Sequence, residues 1–272
     1  MSFTENLKKR SAATEEVAIP SSMIIYPGQN SDSGADARNN LKKVVDIVAK
    51  QLGPEYNSTG AAEDLTQDWL WGEKLVEATG LPARVVIAFS AEQASFIELE
   101  SVANAQLPEG MSETLVEGAV RELADKLNSR IVRPGLRFWL FSPDWADDKC
   151  VVNDRRLDPT LWWLGENQKT QQKNFKEFSK KFLTDHPDAD LHSNVQNEYL
   201  TAVIGDYAAG IDYKSDEFVL NWGWARTDIK VPYGGSSRWL FVNSGDGQPG
   251  VHWIYGYVCW FNGRVLSVGR KA

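Results

Sequence analysis

Residues 251–268 read VHWIYGYVCWFNGRVLSV, two runs of β-branched and aromatic residues on either side of Asn262-Gly263. Asn-Gly between alternating runs is the strongest short hairpin signal in a sequence, because both residues tolerate the positive φ of a tight turn. The spacing therefore predicts strands over Val251–Trp260 and Arg264–Val268, joined at that dipeptide. Working back along the chain, Arg238–Val242 and Phe218–Trp224 are further strand-like runs separated by Gly, Pro, Asn and Asp. Everything after Gly210 reads as all-β.

Upstream the texture is mixed. Asn194–Ala209 reads as a helix, and Asn167–Asp185 as a lysine-rich amphipathic helix with Phe175, Phe178 and Phe182 on its inner face. Ser112–Asn128 places Leu115, Ala119, Val120, Leu123 and Leu127 on one helical face, and Ala35–Leu52 has the same spacing before Gly53-Pro54. Ser90 and Gln93 form a capping box. Arg84–Phe89 and Arg137–Phe141 read as strands, Ser21–Tyr26 as a short β-like run, and Leu65–Thr79 as a Trp-bearing stretch closed by Gly80. Asp190-Leu191-His192 reads as part of a polar interhelical loop. Interspersed helices and strands followed by clustered strands predict an α/β (α+β mixed) two-layer fold. Residues 1–20 are polar and read as a flexible tail, leaving 21–272 as one domain.

Composition narrows the function. The 272 residues include 11 Trp, 8 Tyr and 11 Phe, and 42% are hydrophobic, enough for a substantial core. A net charge of −8 lacks the basic footprint of a nucleic-acid binder or of a protein held on anionic lipid. No apolar run is long enough to span a bilayer, and the first 25 residues contain no apolar secretory core. Two cysteines, Cys150 and Cys259, make no disulfide framework. A soluble protein of a reducing compartment, the cytoplasm, is the expectation.

Three histidines limit the chemistry: His186, His192 and His252. His252 and Cys259 are seven apart on one expected strand, so they face opposite ways and make no nucleophile–base pair. Acidic neighbours at Asp147-Asp148 raise the thiol pKa of Cys150, so a Cys150 hydrolase ranks third. His186, Asp188, Asp190 and His192 lie close together, yet their spacing matches no metal signature, and no metal is expected. P-loop, GxGxxG, HExxH and GxSxG patterns are absent. Eight of the tryptophans cluster as Trp69/Trp71, Trp162/Trp163, Trp222/Trp224 and Trp253/Trp260, as core or as the walls of an apolar pocket.

Five short segments, in order, carry a resemblance. A strand leads into Asp32-Ser-Gly-Ala-Asp36-Ala-Arg38 and a long helix; Asp68-Trp69-Leu-Trp71-Gly72-Glu73 leads to Leu81-Pro82; Arg133-Pro134-Gly-Leu136-Arg137 precedes Ser142-Pro143. Leu220-Asn221-Trp222-Gly223 is followed by Asp228 and Tyr233-Gly234, and Tyr257–Ser267 closes the set. Together, over roughly residues 22–269, they resemble the chloramphenicol-acetyltransferase-like (condensation-like) acyltransferases. They are most similar to the fungal branch that includes trichothecene 15-O-acetyltransferases.

That resemblance implies two α/β lobes with a tunnel between them, helices packed on a mixed, largely antiparallel sheet with a β-rich C-terminal part, residues 21–130 supplying the remainder of the first lobe and crossover and 131–272 the second. It implies transfer of an acyl group from a CoA thioester, the co-substrate, to an alcohol of an apolar metabolite, a small-molecule substrate. No resident cofactor is implied. A motif histidine would be the general base. Here Asp32 stands in that place, and Asp36 is the motif carboxylate. Trp71, Asn221, Trp222 and Asp228 would line the substrate. The sequence departs from the family in two ways: the first lobe is largely missing, so the chain reads as N-terminally truncated, and Asp32 replaces the base. An ordinary Asp pKa near 4 makes a poor base at neutral pH. Read alone, Asp32–Asp36 is a polar loop with Asp36 capping the following helix. The alternative is accordingly a non-catalytic binding module or degenerate fragment, self-associating or docked on a partner chain that supplies the missing lobe.

Overall fold

The computed structural model describes residues 24–28, 62–88, 135–144, 151–152, 155–193, 195, 198–199, 202, 219–220, 223–233, 236–245, 248–254 and 262–271. The expected helices over 35–52 and 112–128, the Ser90 cap, Cys150 and Cys259 lie outside them. Among the described residues are strands β1 (Ile24–Ile25), β2 (Ala83–Ala88), β3 (Gly135–Leu140), β4 (Val151–Val152), β5 (Arg155–Arg156) and β6 (Leu161–Trp162). They continue with β7 (Ala189–His192), β8 (Trp224–Tyr233), β9 (Ser236–Gly245), β10 (Gln248–Ile254), β11 (Asn262–Val265) and β12 (Ser267–Arg270). Among the described residues the full helices are α1 (Ala62–Thr79) and α2 (Gln168–Asp185). The fold is mixed α/β with largely antiparallel sheets.

The first sheet has the order β1-β2-β3-β12-β7, antiparallel throughout. Its two faces differ because side chains alternate along each strand. Ala83, Val85, Leu136, Phe138, Leu140, Ala189 and Val268 point to one face, where they join Trp69, Leu75 and Val76 of α1 and Phe182 of α2 in one buried cluster. The residues between them point the other way and are largely polar. Asp68 of α1 fixes the helix to this sheet, accepting from Leu136 N–H at 3.2 Å and Arg270 Nε at 3.1 Å.

The second sheet has the order β10-β9-β8-β11-β6, with β11 parallel to β8 and the other pairs antiparallel. Residues 262–270 join the two sheets: β11 lies in the second, β12 in the first, and buried Leu266 between them accepts from Leu140 N–H. Asn262-Gly263 is therefore not the hairpin turn its sequence suggests. It sits inside β11, opposite Trp224 and Ala225. Gly263 is there for space, since an added Cβ would lie 2.8 Å from Leu161 Cβ and 3.0 Å from the Trp162 carbonyl oxygen. Gly263→Ala is expected to lower stability by about 1–3 kcal/mol, read by urea unfolding, because neither neighbour can retreat.

A second difference concerns Phe218–Trp224. Val219 and Leu220 form a turn, Leu220 at φ 48°, with its N–H held by Asp158 at 2.9 Å. The strand begins only at Trp224. That buried carboxylate, 62 residues away, outweighs the local β preference.

Helix α2 begins where expected. Asn167 caps it by accepting from Thr170 N–H, and His186 N–H bonds to Phe182 O just before Pro187. Its inner face has two halves. Phe178 and Phe182 stack at 5.4 Å beside Trp162, in the first core. Gln168, Gln171 and Gln172 reach Thr227 O, Asn262 O and Asp228, all on the second sheet.

Candidate active site

On the polar face of the first sheet the register lines up Arg84, Trp139, Ser267 and His192 in one row across β2, β3, β12 and β7. One step along lie Arg137 and, paired on β12 and β7, Gly269 and Asp190. Asp190-Leu191-His192 is thus a strand, with Leu191 towards the apolar core and its neighbours on the polar face. The alternation Ala-Asp-Leu-His carries that period-two signal.

Glu198 reaches the row from a helical turn in which Tyr199 N–H bonds to Val195 O, and the Tyr199 hydroxyl donates to Asn243 O of β9. Its carboxylate collects four donors. Oε2 accepts from Trp139 Nε1 and Ser267 Oγ, each at 2.6 Å. Oε1 lies 3.0 Å from His192 Nε2 and 3.4 Å from Arg137 Nε. Arg137 bridges onward, donating to Ser267 Oγ at 2.9 Å and to Asp190 Oδ2 at 2.7 Å. Gly269 makes room for it: a Cβ there would sit 2.7 Å from Arg137 Nη1.

Burial pushes the Glu198 carboxyl up, but the charge and hydrogen bond of His192, then Arg137 and Ser267, outweigh it and hold the group at about 2 against an ordinary 4.5. A carboxylate whose folded value is depressed adds stability above its unfolded value and loses it as pH falls towards the folded one. The loss therefore runs from about pH 4.5 down to about 2. It amounts to about 3 kcal/mol for this one group. A urea-unfolding series across that range is expected to show it, and Glu198→Gln to flatten it.

His192 is the member of the set with one ring nitrogen unpartnered. Its Nε2 is committed to Glu198, while Nδ1 is buried and has no hydrogen-bond partner. The side chain as a whole keeps 18% of its surface exposed. A carboxylate holding one ring nitrogen fixes the tautomer and leaves the other to take a proton. Asp228, one of the residues expected to line the substrate, lies just beyond. It accepts from Arg264 Nη2 at 2.7 Å and from Gln172 at 3.1 Å, with Ser193, the residue after His192, 3.4 Å away. Burial raises its pKa, but Arg264, Gln172 and Ser193 together hold it below the usual carboxylate range.

The sequence-expected residues divide. Trp71 packs 5.8 Å from Phe138 and donates to Asp188 at 2.7 Å, just before β7, whereas Asp228 meets Ser193 just after it. Five residues of extended chain put those two contacts about 16 Å apart, so Trp71 and Asp228 stand at opposite ends of the strand. Asp32, Asp36, Asn221 and Trp222 lie outside the described residues. Asp188, Asp190 and His192 go to three separate partners, Trp71, Arg137 and Glu198. Among the described residues no group of His, Cys, Asp and Glu is arranged to hold a metal, and no helix is long and apolar enough to cross a membrane.

No protein-family model, curated protein or solved structure matches the chain. The site's chemistry must stand on its own geometry. Sequence reasoning missed Glu198 entirely: it is the buried end of a contact 59 residues from Trp139 and 69 from Ser267. Arg137 and Ser267 were visible only as parts of short motifs.

Proposed function

We propose that the chain is an acyltransferase of the chloramphenicol-acetyltransferase-like kind. It moves an acyl group from a CoA thioester to an alcohol of an apolar metabolite, with His192 as the general base. The observation that supports this most is the His192–Glu198 pair with Nδ1 left unpartnered. Acyl transfer to an alcohol needs a group that removes the hydroxyl proton as oxygen attacks the thioester carbonyl. An imidazole is the side chain that most often plays this part, and the Asp32 carboxylate that stands at the family's base position is a weaker base. Glu198 would stabilise the imidazolium formed at that moment, and Arg137 and Trp139 would keep Glu198 in place.

The test is thiol release from acetyl-CoA between pH 6 and 9, with and without a panel of hydroxylated apolar acceptors. Acceptor-dependent release is expected; release that ignores every acceptor, or none at all, overturns the reading. One observation favours a second reading. All four donors around Glu198 are satisfied and tie together β3, β12, β7 and the 195–199 turn. That is also what a brace in a non-catalytic binding module would look like, and such a module would release no thiol.

A further inference from the structure

Helix α2 carries a row of like charges along its outward side. Five of the chain's 16 lysines fall within its 18 residues, against the two acids Glu177 and Asp185, which leaves the rest of the chain more acidic than the overall −8. Lys169, Lys173, Lys176 and Lys180 recur at spacings of four, three and four. At about 100° per residue they lie within about 60° of one another, on the side opposite Gln171, Phe178 and Phe182. Those three face the sheets, Gln171 bonding to Asn262 O and the two phenylalanines packing on the first core. All four lysines are exposed. They form a stripe one side chain wide and about 16 Å long, bordered on one edge by the uncharged Gln172 and Ser179.

The stability of the helix itself does not account for this pattern. Lysines three and four apart repel, and a helix face that is merely solvated alternates the two signs so that neighbours pair. Here Lys169–Lys173, Lys173–Lys176 and Lys176–Lys180 are all like-signed neighbours. Among the described residues the opposite-charge contact on this helix is Lys173–Glu177, at 3.9 Å with both side chains exposed. The charges do not complement the helix dipole either: the first turn holds Lys169 and no acid, and the last turn holds no base. Such a row is relieved when an oppositely charged surface lies along it.

Charge and shape together select the partner. Duplex nucleic acid and anionic bilayers are large, uniformly charged surfaces, so they also meet the rest of the chain, whose net negative charge repels them. A single α-helix meets the stripe alone, and it has the same straightness and repeat. Its carboxylates at spacings of four, three and four stand in step with the four ammonium groups. We propose that the outward side of α2 docks an acidic helix of a partner protein, through Lys169, Lys173, Lys176 and Lys180. This docking does not depend on the acyl-transfer reading, since binding alone reports it.

The probes are two fluorescent alanine-based helical peptides with the same number of glutamates. One carries them in line, at spacings of four, three and four; the other has them spread around the helix. Each is titrated with the full chain at low salt and followed by fluorescence anisotropy. Expected is saturable binding of the in-line peptide, about tenfold tighter than the spread one and weakened by added salt. Lys180→Glu and Lys181→Glu make the same charge change at adjacent exposed positions about 100° apart, so only the first falls on the stripe. Lys180→Glu is expected to weaken the in-line peptide about fivefold, and Lys181→Glu by less than about twofold. Thermal unfolding verifies the fold of each variant, and Lys176→Glu replaces Lys180→Glu should that variant fail to fold. No saturable binding, equal affinity for the two peptides, or equal loss in the on-stripe and off-stripe variants overturns the proposal. Tighter binding of an oligonucleotide or of phosphatidylserine vesicles than of the in-line peptide does the same.

Discussion

Glu198→Gln is expected to cost about 3–5 kcal/mol of folding stability, the range for removing one partner of a buried charge pair. The substitution keeps the volume and takes away only the charge and one acceptor. Around Glu198 stand His192 Nε2, Arg137 Nε, Trp139 Nε1 and Ser267 Oγ, all donors in this arrangement. A glutamine must turn its own N–H₂ towards one pair of them. Either Trp139 and Ser267 or Arg137 and His192 then face a donor, and the buried Arg137 keeps a single carboxylate, Asp190, instead of two. In a chain of this size the melting temperature is expected to fall by roughly 10 °C. The control is Glu177→Gln on the outer face of α2. There the pair with Lys173 spans 3.9 Å with both side chains about two-thirds or more exposed, so the change is expected to stay within about 0.5 kcal/mol. Equal melting shifts in the two variants would contradict the account of the polar row.

Much of the architecture is legible in the sequence because it rests on local periodicity. The α2 boundaries follow from Asn167 as cap and Pro187 as stop, and its inner face from Phe175, Phe178 and Phe182. β2 and β3 follow from runs of strand-favouring residues. The errors share a physical cause. Asn262-Gly263 carries the right chemistry for a turn, and the same glycine also suits a strand that must pass close to Leu161. Nothing in the surrounding residues distinguishes the two, because the deciding neighbour is about a hundred residues away. Val219-Leu220 fails in the same way, through Asp158. For the site, His192 was visible as one of three histidines, but its partner was not. Glu198 looks like any helix-surface glutamate until the register of β3, β12 and β7 gathers Trp139, Ser267 and His192 beneath it.

His192→Gln carries the largest expected functional effect. Glutamine can still donate one N–H to Glu198 Oε1, so the brace at 3.0 Å is replaced rather than emptied and the fold is expected to survive. The amide nitrogen cannot take a proton at neutral pH, so general-base assistance is lost, a factor of about 10²–10⁴ in kcat. KM for the acceptor should change little, since the histidine acts on the proton in flight rather than on ground-state binding. The decisive measurement is the rate of acceptor-dependent thiol release from acetyl-CoA for wild type and His192→Gln side by side, both verified as folded by thermal unfolding. Release by the wild type and a fall of at least a hundredfold in kcat in the variant is the result this account predicts. A folded His192→Gln variant that releases thiol at the wild-type rate would contradict it.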